Sequence, residues 1–295
     1  MDDAAFFNGL EQTRGLVERR LVQLLPPDGQ APAGLIGAAR YAVLAPGKRF
    51  RPMLAILVAR DFGAIDGSAI DAACAFEMVH TASLILDDLP SMDDASLRRG
   101  VATTHRAFNE ANAILAAVAL LNRAFGVIAD DAGLTDAIKV ELMARLSECV
   151  GFRGLVAGQA RDLDRRGKTL SNDEIDLLNH QKTGVLLVAP AQAGALIAGA
   201  DGTRLAAIGE FARRLGLAFQ IRDDILDAEG TASEGKDLGK DAGMPTLVTS
   251  LGLAGARQAM QGYLDAARDA LAEARCGDHA WRYASALFGP RKVAA

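Results

Sequence analysis

Aromatic residues are scarce in this chain, and small apolar side chains are abundant instead. Phe, Trp and Tyr together make up 5% of the 295 residues, although apolar residues make up 50%. A composition with few aromatics and many alanines favours closely packed helices and argues against a β-rich fold. The length is ample for a large hydrophobic core.

Cysteine is also scarce, and basic residues are missing where a secretory signal would carry them. Cys74, Cys149 and Cys276 lie far apart and form no CxxC pair. This pattern is typical of a reduced cytoplasmic protein with buried or idle thiols. The acidic N-terminal stretch predicts that no secretory signal opens the chain.

No apolar run reaches the ~20 residues that a membrane span needs. The best candidate, 185–200, is shorter and contains Pro190 and Gln192, so we interpret it as a kinked core helix. The net charge of −5 and the pI of about 5.5 argue against nucleic acid as the main partner. Because Arg and Lys occur in local groups, an anionic small molecule remains an alternative ligand.

Helical periodicity dominates the chain, and no strand ladder is evident. The breaks between periodic stretches are rich in Gly, Pro, Asp or Ser, and none is long enough for an interdomain linker. We therefore predict one all-α domain over residues 1–295. Its predicted helices cover 4–24, 33–45, 49–62, 68–88, 103–130, 134–159, 172–182, 183–200, 203–228, 244–273 and 279–288.

The first of two acidic clusters ends an apolar helix. In LILDDLPSMDD (84–94), like charges follow a buried stretch, so cations must meet them or they must face water. Pro90 disfavours continued helix and should turn Asp93 back toward Asp87. His80 lies two turns before Asp87 on the same helical face.

The second acidic cluster, QIRDDILD (220–227), lies on another predicted helix. Gln220, Asp223 and Asp227 recur at helical spacing and share one face, with Asp224 beside them. Carboxylates without histidine or cysteine select hard cations, so the two clusters together predict a shared Mg²⁺ or Mn²⁺ site. One cluster alone would be weak support, because acidic helix ends are common and solvated.

Basic residues accompany both clusters. GKRFRP (47–52) precedes a predicted helix, LRRG (97–100) follows the first cluster, and Lys236 and Lys240 follow the second. Each group taken alone is equally well explained as a solvated surface run. The alternation of acidic and basic groups suits a diphosphate held between metal ions and guanidinium groups.

Taken together, these motifs resemble those of the trans-isoprenyl diphosphate synthases. GKRFRP, EMVHTASLILDDLPSMDDASLRRG, HQKTG and FQIRDDILD occur in this order, and the likeness runs from about residue 40 to residue 255. Residues 81–105 most resemble the bacterial geranylgeranyl diphosphate synthases. The resemblance implies an isoprenoid-synthase-type helix bundle around a deep central cavity, a homodimer, and three Mg²⁺ ions for which Mn²⁺ can substitute.

The reaction that the resemblance implies is head-to-tail condensation of isopentenyl diphosphate with an allylic diphosphate, here farnesyl diphosphate, to give geranylgeranyl diphosphate. Metal ions and basic residues would stabilise the departing diphosphate, and the double bond of isopentenyl diphosphate would attack the allylic cation. No side-chain nucleophile is required. A closed, dry site would protect the cation from water.

The resemblance also assigns roles to individual residues. The metal ligands would be Asp87, Asp88, Asp93, Asp223, Asp224 and Asp227. The allylic diphosphate would be bound by Arg98, Lys182 and Lys236, and isopentenyl diphosphate by Lys48, Arg51, His80 and Arg99. Thr183 and Gln220 would face the developing cation, and Phe219 belongs to the same motif. The catalytic set would be Asp87, Asp88, Asp93, Lys182, Thr183, Gln220 and Asp223.

Several residues also have an ordinary structural interpretation. His80 would serve equally as a hydrogen-bonded core histidine, and Lys182 as a helix cap, although a helix starting after it would favour anion binding. Gln159 and Asp162 also match a family motif. We interpret His105, His180 and His279 as structural or surface residues.

Product length is predicted from Ala82 and Ser83, which lie one turn before Asp87. Both are small, whereas relatives that make farnesyl diphosphate commonly carry an aromatic residue at one of these positions. Small side chains there would leave the floor of the substrate cavity open, which favours the longer product. The alternative is that Ala82 only permits close helix packing and that Val79 or a facing helix limits the chain.

The sequence departs from the family pattern at Asn109, Ala117, Val118 and Met244, where glycine, glycine, aspartate and lysine are usual. These departures bear on the turnover rate more than on the reaction type. The alternatives are a farnesyl diphosphate synthase, a non-catalytic partner subunit of a prenyl synthase, a terpene cyclase and an acidic metal-binding scaffold. A partner subunit generally loses one acidic motif, and neither a cyclase nor a scaffold needs GKRFRP.

Overall fold

The computed structural model describes residues 3–65, 67–165, 170–230 and 246–288 of the chain. Its helices are α1 (Asp3–Leu24), α2 (Ala33–Leu44), α3 (Phe50–Asp61), α4 (Ile70–Asp87), α5 (Thr104–Ala107), α6 (Glu110–Asp130), α7 (Asp136–Val150), α8 (Leu155–Asp164), α9 (Asn172–Asn179), α10 (Val185–Ile197), α11 (Gly202–Ala228), α12 (Leu247–Glu273) and α13 (His279–Ser285). A π-helical turn, His180–Gly184, joins α9 to α10. The predicted all-α fold is confirmed.

A short β-hairpin between α4 and α5 corrects the prediction that the chain has no strand pairing. Its strands, β1 (Leu97–Arg98) and β2 (Val101–Ala102), pair antiparallel. The turn residues Arg99 and Gly100 both have positive φ, 56° and 81°, as a two-residue hairpin turn requires. Glycine adopts this backbone freely, whereas an arginine is held there by its surroundings.

Two predicted helices are each divided. The 103–130 stretch is interrupted after α5, where the Asn109 side chain accepts a hydrogen bond from the Asn112 amide at 2.8 Å and starts α6. The 134–159 stretch is interrupted by a turn that needs Gly154, because a Cβ there would lie 2.0 Å from the Cys149 oxygen. The predicted break between residues 182 and 183 is wrong, since the π-helical turn leads directly into α10.

Two large apolar clusters form the core. One gathers α4 with α1, α2, α6 and α7, and the other gathers α3 with α10, α11, α12 and α13. Gly194 brings α10 close to α3, because a Cβ there would lie 2.1 Å from the Ala55 oxygen. The predicted core helix at 185–200 corresponds to α10, which is largely buried and contains Pro190. Helix α4 is buried over most of its length, so its polar residues lie within the bundle.

The expectation that no apolar stretch is long enough for a membrane span is corrected at α6, which among the described residues is long and apolar enough, by length and composition alone, to cross a membrane. Its inner face packs against α4 through Ala113, Ala116 and Leu120, which are almost fully buried. The core helix of a folded bundle meets the same criterion. The opposite face of α6 exposes apolar side chains, among them Ile114, Leu115 and Val118.

Candidate active site

The first acidic cluster lies where α4 ends. The chain turns back after Asp87, and the Asp93 amide donates a hydrogen bond to the Asp87 carbonyl oxygen at 3.0 Å. The expected reversal at Pro90 is therefore confirmed at the level of the backbone. It brings the second half of the motif back to the end of the helix.

Cations from two other elements meet these carboxylates. From the hairpin, Arg98 donates through Nε to Asp88 Oδ1 at 2.9 Å, and its Nη2 lies 3.9 Å from Asp87 Oδ2. From the π-helical turn, Lys182 Nζ lies 3.8 Å from Asp87 Oδ1. The half-buried Asp87 and the buried Asp88 are thus held between an arginine and a lysine. This arrangement explains how an apolar helix can end in so much negative charge.

Burial nevertheless dominates the electrostatics of these two aspartates. Desolvation raises the pKa of Asp87 and of Asp88 above the ordinary aspartate value, although Lys182 and Arg98 act in the opposite direction. Asp87 Oδ1 is buried and accepts no hydrogen bond. A buried carboxylate oxygen without a donor has the chemistry that a hard cation requires.

The carboxylate set therefore fits Mg²⁺. Over the parts of the chain that the structure describes, no three His, Cys, Asp or Glu side chains are grouped closely enough to hold a metal by themselves. Mg²⁺ commonly uses one or two protein carboxylates and completes its shell with water and substrate phosphates. A site of this kind is assembled by protein and substrate together.

Lys182 does not lie at a helix start, which corrects that part of the sequence analysis. It lies inside the π-helical turn, whose wider winding is often found at functional positions. Its ammonium pairs with the buried Asp162 of α8 as well as with Asp87. Burial by itself would lower the pKa of Lys182, but Asp87 and Asp162 outweigh it and raise the pKa. Lys182 is a charged group fixed by two carboxylates.

Close packing of α8 makes this contact possible. A Cβ at Gly158 would lie 2.6 Å from the Lys182 amide nitrogen, so the helix approaches the π-helical turn through a glycine. Asp162 also forms an ion pair with Arg165 at 2.6 Å. Thr183, the next residue of the turn, is half-buried beside Lys182. The only sequence signal for Asp162 was the GQARD motif.

A second, basic cluster surrounds His80. This histidine is buried, and its Nε2 lies 3.4 Å from Arg99 Nη2. Arginine can only donate, so Nε2 is the acceptor and Nδ1 carries the ring hydrogen. Burial, reinforced by Arg51 and Arg99, lowers the pKa of His80 well below its ordinary value, so the ring is neutral at pH 7. Burial also lowers the pKa of Arg51 to about 10.

Gly47 and Glu77 support this basic cluster. A Cβ at Gly47 would lie 2.5 Å from Arg99 Nη1, so the guanidinium rests directly on the backbone that precedes α3. Arg49 is buried and donates to the buried Glu77 at 3.1 Å. Lys48, between them, is exposed. The Arg49–Glu77 pair was not predicted, because nothing local in the sequence joins residues on α3 and α4.

The second acidic cluster is more open. Gln220 donates to Asp224 Oδ1 at 3.0 Å, and Arg222 Nη1 lies 3.5 Å from Asp223 Oδ1. Asp223 and Asp224 are half-buried, whereas Asp227 is exposed near the end of α11. Phe219, just before Gln220, packs flat on Phe50 with ring centroids 6.1 Å apart. Lys236, Lys240 and Met244 lie outside the described residues.

The two residues expected to set product length differ in environment. Ala82 is completely buried in the cluster that joins α4 to α6. Ser83 is half-buried, lies one turn before Asp87, and donates its hydroxyl to the His80 carbonyl oxygen at 2.8 Å. Only Ser83 shares the partly open side of α4 with Asp87.

Two of the other histidines and three of the departures from the family pattern differ in their burial and contacts. His105 is buried beside the first cluster, with no hydrogen bond to either ring nitrogen, and His279 Nδ1 lies 2.7 Å from Asp61 Oδ1. Asn109 caps α6, as described above. Ala117 is buried in the core, whereas Val118 is exposed.

Comparison with known proteins shows which family the chain belongs to. The family model described as Polyprenyl synthetase matches residues 33–273. The chain is 45% identical to a geranylgeranyl diphosphate synthase of Pantoea ananas, over 97% of this chain and 94% of that protein. It is 43% identical to a farnesyl diphosphate synthase of Geobacillus stearothermophilus, over 89% and 90% of the two chains.

A solved structure extends the likeness to the fold. The crystal structure of an FPP/GFPP synthase from Zymomonas mobilis superimposes with a TM-score of 0.86 at 33% identity, covering 97% of this chain and 98% of that one. The helix bundle therefore belongs to a known architecture. The chain is a member of the polyprenyl synthetase family and a trans-isoprenyl diphosphate synthase.

Proposed function

We propose that this synthase condenses isopentenyl diphosphate with farnesyl diphosphate to give geranylgeranyl diphosphate. The observation that carries the proposal is the pairing of two different charge clusters on one buried helix. His80 marks the basic cluster and Asp87 the acidic one, seven residues further along α4. At the helical rise of 1.5 Å per residue, they are separated by about 10 Å. Two diphosphates would therefore bind side by side along α4.

The acidic cluster suits the diphosphate that leaves. Asp87, Asp88 and Asp93 would hold Mg²⁺ from one side, and Asp223, Asp224 and Asp227 from the other. When bound, Mg²⁺ would neutralise charge on the allylic diphosphate and promote its departure. Arg98 and Lys182 already lie beside Asp87 and would donate to the same phosphates.

The basic cluster suits the diphosphate that stays. Arg51 and Arg99 surround a neutral His80, so the site offers strong donors to an anion without metal ligands beside them. Lys48 adds a further charge at the open edge. Thr183 and Gln220 would direct oxygens toward the developing cation, and the released diphosphate would accept the departing proton.

Product length is proposed from the open side of α4. The related sequences include both geranylgeranyl and farnesyl diphosphate synthases, so relatedness leaves either product possible. The small Ser83 beside Asp87 favours the longer product. A farnesyl diphosphate synthase is the second candidate. Ala82 is completely buried, so this residue is as readily explained by helix packing as by a place in the floor of the substrate cavity.

A product assay separates the two candidates. The enzyme is incubated with Mg²⁺, isopentenyl diphosphate and dimethylallyl, geranyl or farnesyl diphosphate in turn, and the dephosphorylated products are separated by chromatography. We expect elongation of farnesyl diphosphate to a twenty-carbon product, and accumulation of the fifteen-carbon product would favour the second candidate. Ser83→Tyr should shift the products toward farnesyl diphosphate, whereas Ala82→Tyr should mainly destabilise the fold by overpacking.

We further propose that the chain acts as a cytoplasmic homodimer built from one domain. Support for self-association comes from α6, whose outer face exposes Ile114, Leu115 and Val118 by 43%, 55% and 57%. Analytical ultracentrifugation of the wild type and of Leu115→Glu tests this. A dimer that becomes monomeric in the variant supports the proposal, and a monomeric wild type contradicts it.

A further inference from the structure

The proposed substrate site lies near the start of α3, and helix α13 is anchored at the other end of α3. The buried Asp61 accepts hydrogen bonds from the backbone amides of His279 at 2.8 Å and Ala280 at 2.9 Å. The His279 ring lies against the same carboxylate. These contacts fix the start of α13 against the end of α3, which is far from α13 in sequence.

From this anchor, α13 reaches the start of α3. The ring of Tyr283 stacks on Phe50 with centroids 5.2 Å apart and planes inclined by 22°. Phe50 also stacks on Phe219 of α11 at 6.1 Å and 19°. Tyr283 also donates its hydroxyl to the Lys48 carbonyl oxygen at 3.4 Å. One side chain therefore touches both the turn before α3 and the first ring of that helix.

The turn that Tyr283 contacts is held by side chains, including the Arg49 guanidinium on Glu77 and on the Ala45 carbonyl oxygen, and not by a local helix cap. Arg49, at the N-cap of α3, has a left-handed backbone with φ 50°, and no side chain caps the helix. The guanidinium of Arg99 lies against the turn at Gly47. Tyr283 contacts the turn at the Lys48 carbonyl oxygen. The positions of Lys48 and Arg51 depend on these tertiary contacts because local capping is absent.

We propose that Tyr283 is a positioning residue for isopentenyl diphosphate. Acting through Phe50 and the Lys48 backbone, it holds Lys48 and Arg51 in the geometry that the second diphosphate requires. The docked α13 is then part of the condition for binding that substrate. This inference rests on the proposed function and adds a residue that none of the sequence motifs contains.

Steady-state kinetics of three variants test the proposal. Tyr283→Ala should raise the KM for isopentenyl diphosphate roughly threefold to tenfold, the range expected for loss of one aromatic pair. The KM for the allylic diphosphate should stay close to wild type. Tyr283→Phe, which keeps the ring, should restore most of the lost affinity.

Trp281→Ala is the matched control. Trp281 lies on the same helix and packs against the same core cluster, but its ring is not part of the Tyr283–Phe50–Phe219 stack. The Trp281→Ala variant should lower the melting temperature without changing the ratio of the KM for isopentenyl diphosphate to the KM for the allylic diphosphate. Equal changes in both KM values in Tyr283→Ala, or the same separation in Trp281→Ala, would overturn the proposal. If Tyr283→Ala does not fold, Tyr283→Leu keeps the apolar volume without the flat ring and is subject to the same criteria.

A binding measurement provides a second readout. Trp281 is the only tryptophan of the chain and lies on α13, so its fluorescence reports on that helix. Titration of the wild type with isopentenyl diphosphate should change the emission, and Tyr283→Ala should need higher concentrations for the same change. Equal titration curves for the two proteins would contradict the inference. A wild type that elongates no allylic primer would instead contradict the proposed function.

Discussion

The two acidic clusters differ in how far the folded chain alone accommodates them. In the first, Asp88 is 3% exposed, and Arg98 reaches it from a separate hairpin. In the second, the Asp223 side chain is 40% exposed and forms an ion pair with its sequence neighbour Arg222. The first cluster is built into the bundle by long-range contacts. The second lies toward the end of α11 and is more exposed.

This difference indicates which half of the site is formed in advance. Desolvation leads the raised pKa values of Asp87 and Asp88, so the ionised carboxylates are held at a cost in stability. A raised aspartate pKa means that the folded state gains stability as the pH falls through that pKa. Such a cost in stability is expected where a carboxylate serves to bind a ligand. The second cluster is more exposed to water.

The largest effect is expected at Asp87. Asp87→Asn should lower kcat by roughly 10³-fold, because it removes charge that stabilises the leaving diphosphate. The melting temperature of the metal-free protein should be unchanged or higher, since a buried charge is removed. Asp94→Asn is the control in the same loop, where the side chain is exposed. Activity within tenfold of wild type in Asp87→Asn would remove the basis of the comparison.

A smaller loss is expected at the second cluster. Asp223→Asn should lower kcat by roughly 10²-fold, because a half-exposed carboxylate acts through a better screened field. Asp227→Asn, at an exposed position, should cost less still. Single-turnover measurements at saturating Mg²⁺ would rank the three variants. A ranking with Asp223 above Asp87 would show that exposure does not predict importance here.

The two arginines of the hairpin should separate the two substrates. Arg99→Gln should raise the KM for isopentenyl diphosphate, and Arg98→Gln the KM for the allylic diphosphate, each by roughly tenfold to a hundredfold for one lost charged contact. Both variants lose the same charge at adjacent positions, so each is the control of the other. Equal effects on both substrates would show that the hairpin does not divide the sites.

The smallest effect is expected at Asp162, which acts through Lys182. Asp162→Asn should raise the KM for the allylic diphosphate several-fold, since the lysine loses one of the two carboxylates that fix it. In a Lys182→Met background, the same substitution should have no further effect. Asp164→Asn, an exposed neighbour on α8, is the control. Additive effects in the double variant would mean that Asp162 acts independently of Lys182.

The sequence was most informative where chemistry is concentrated in a short stretch. The two aspartate motifs, the basic GKRFRP segment and the helical faces that join His80 to Asp87 could all be recognised locally. The reversal after Pro90 followed from the restricted backbone of proline. These features depend on neighbours within a few turns of helix.

What could not be predicted depends on distant contacts. The left-handed turn at Arg99 and Gly100 lies between two predicted helices, in a stretch for which the sequence predicted no regular structure. The π-helical turn at Lys182 is held by α8, through Gly158 and Asp162. The stack of Tyr283 on Phe50 joins residues near opposite ends of the chain. Each of these features is settled only when separate helices pack.

The central claim is that α4 presents two distinct diphosphate sites, of which only the one at Asp87 depends on metal. Calorimetric titration of the enzyme in EDTA, with each substrate in turn, tests it most directly. We predict that isopentenyl diphosphate binds with nearly the affinity seen in Mg²⁺, because Arg51, Arg99 and His80 need no metal, whereas binding of the allylic diphosphate is largely lost. Equal loss of both substrates, or equal retention of both, would contradict the account.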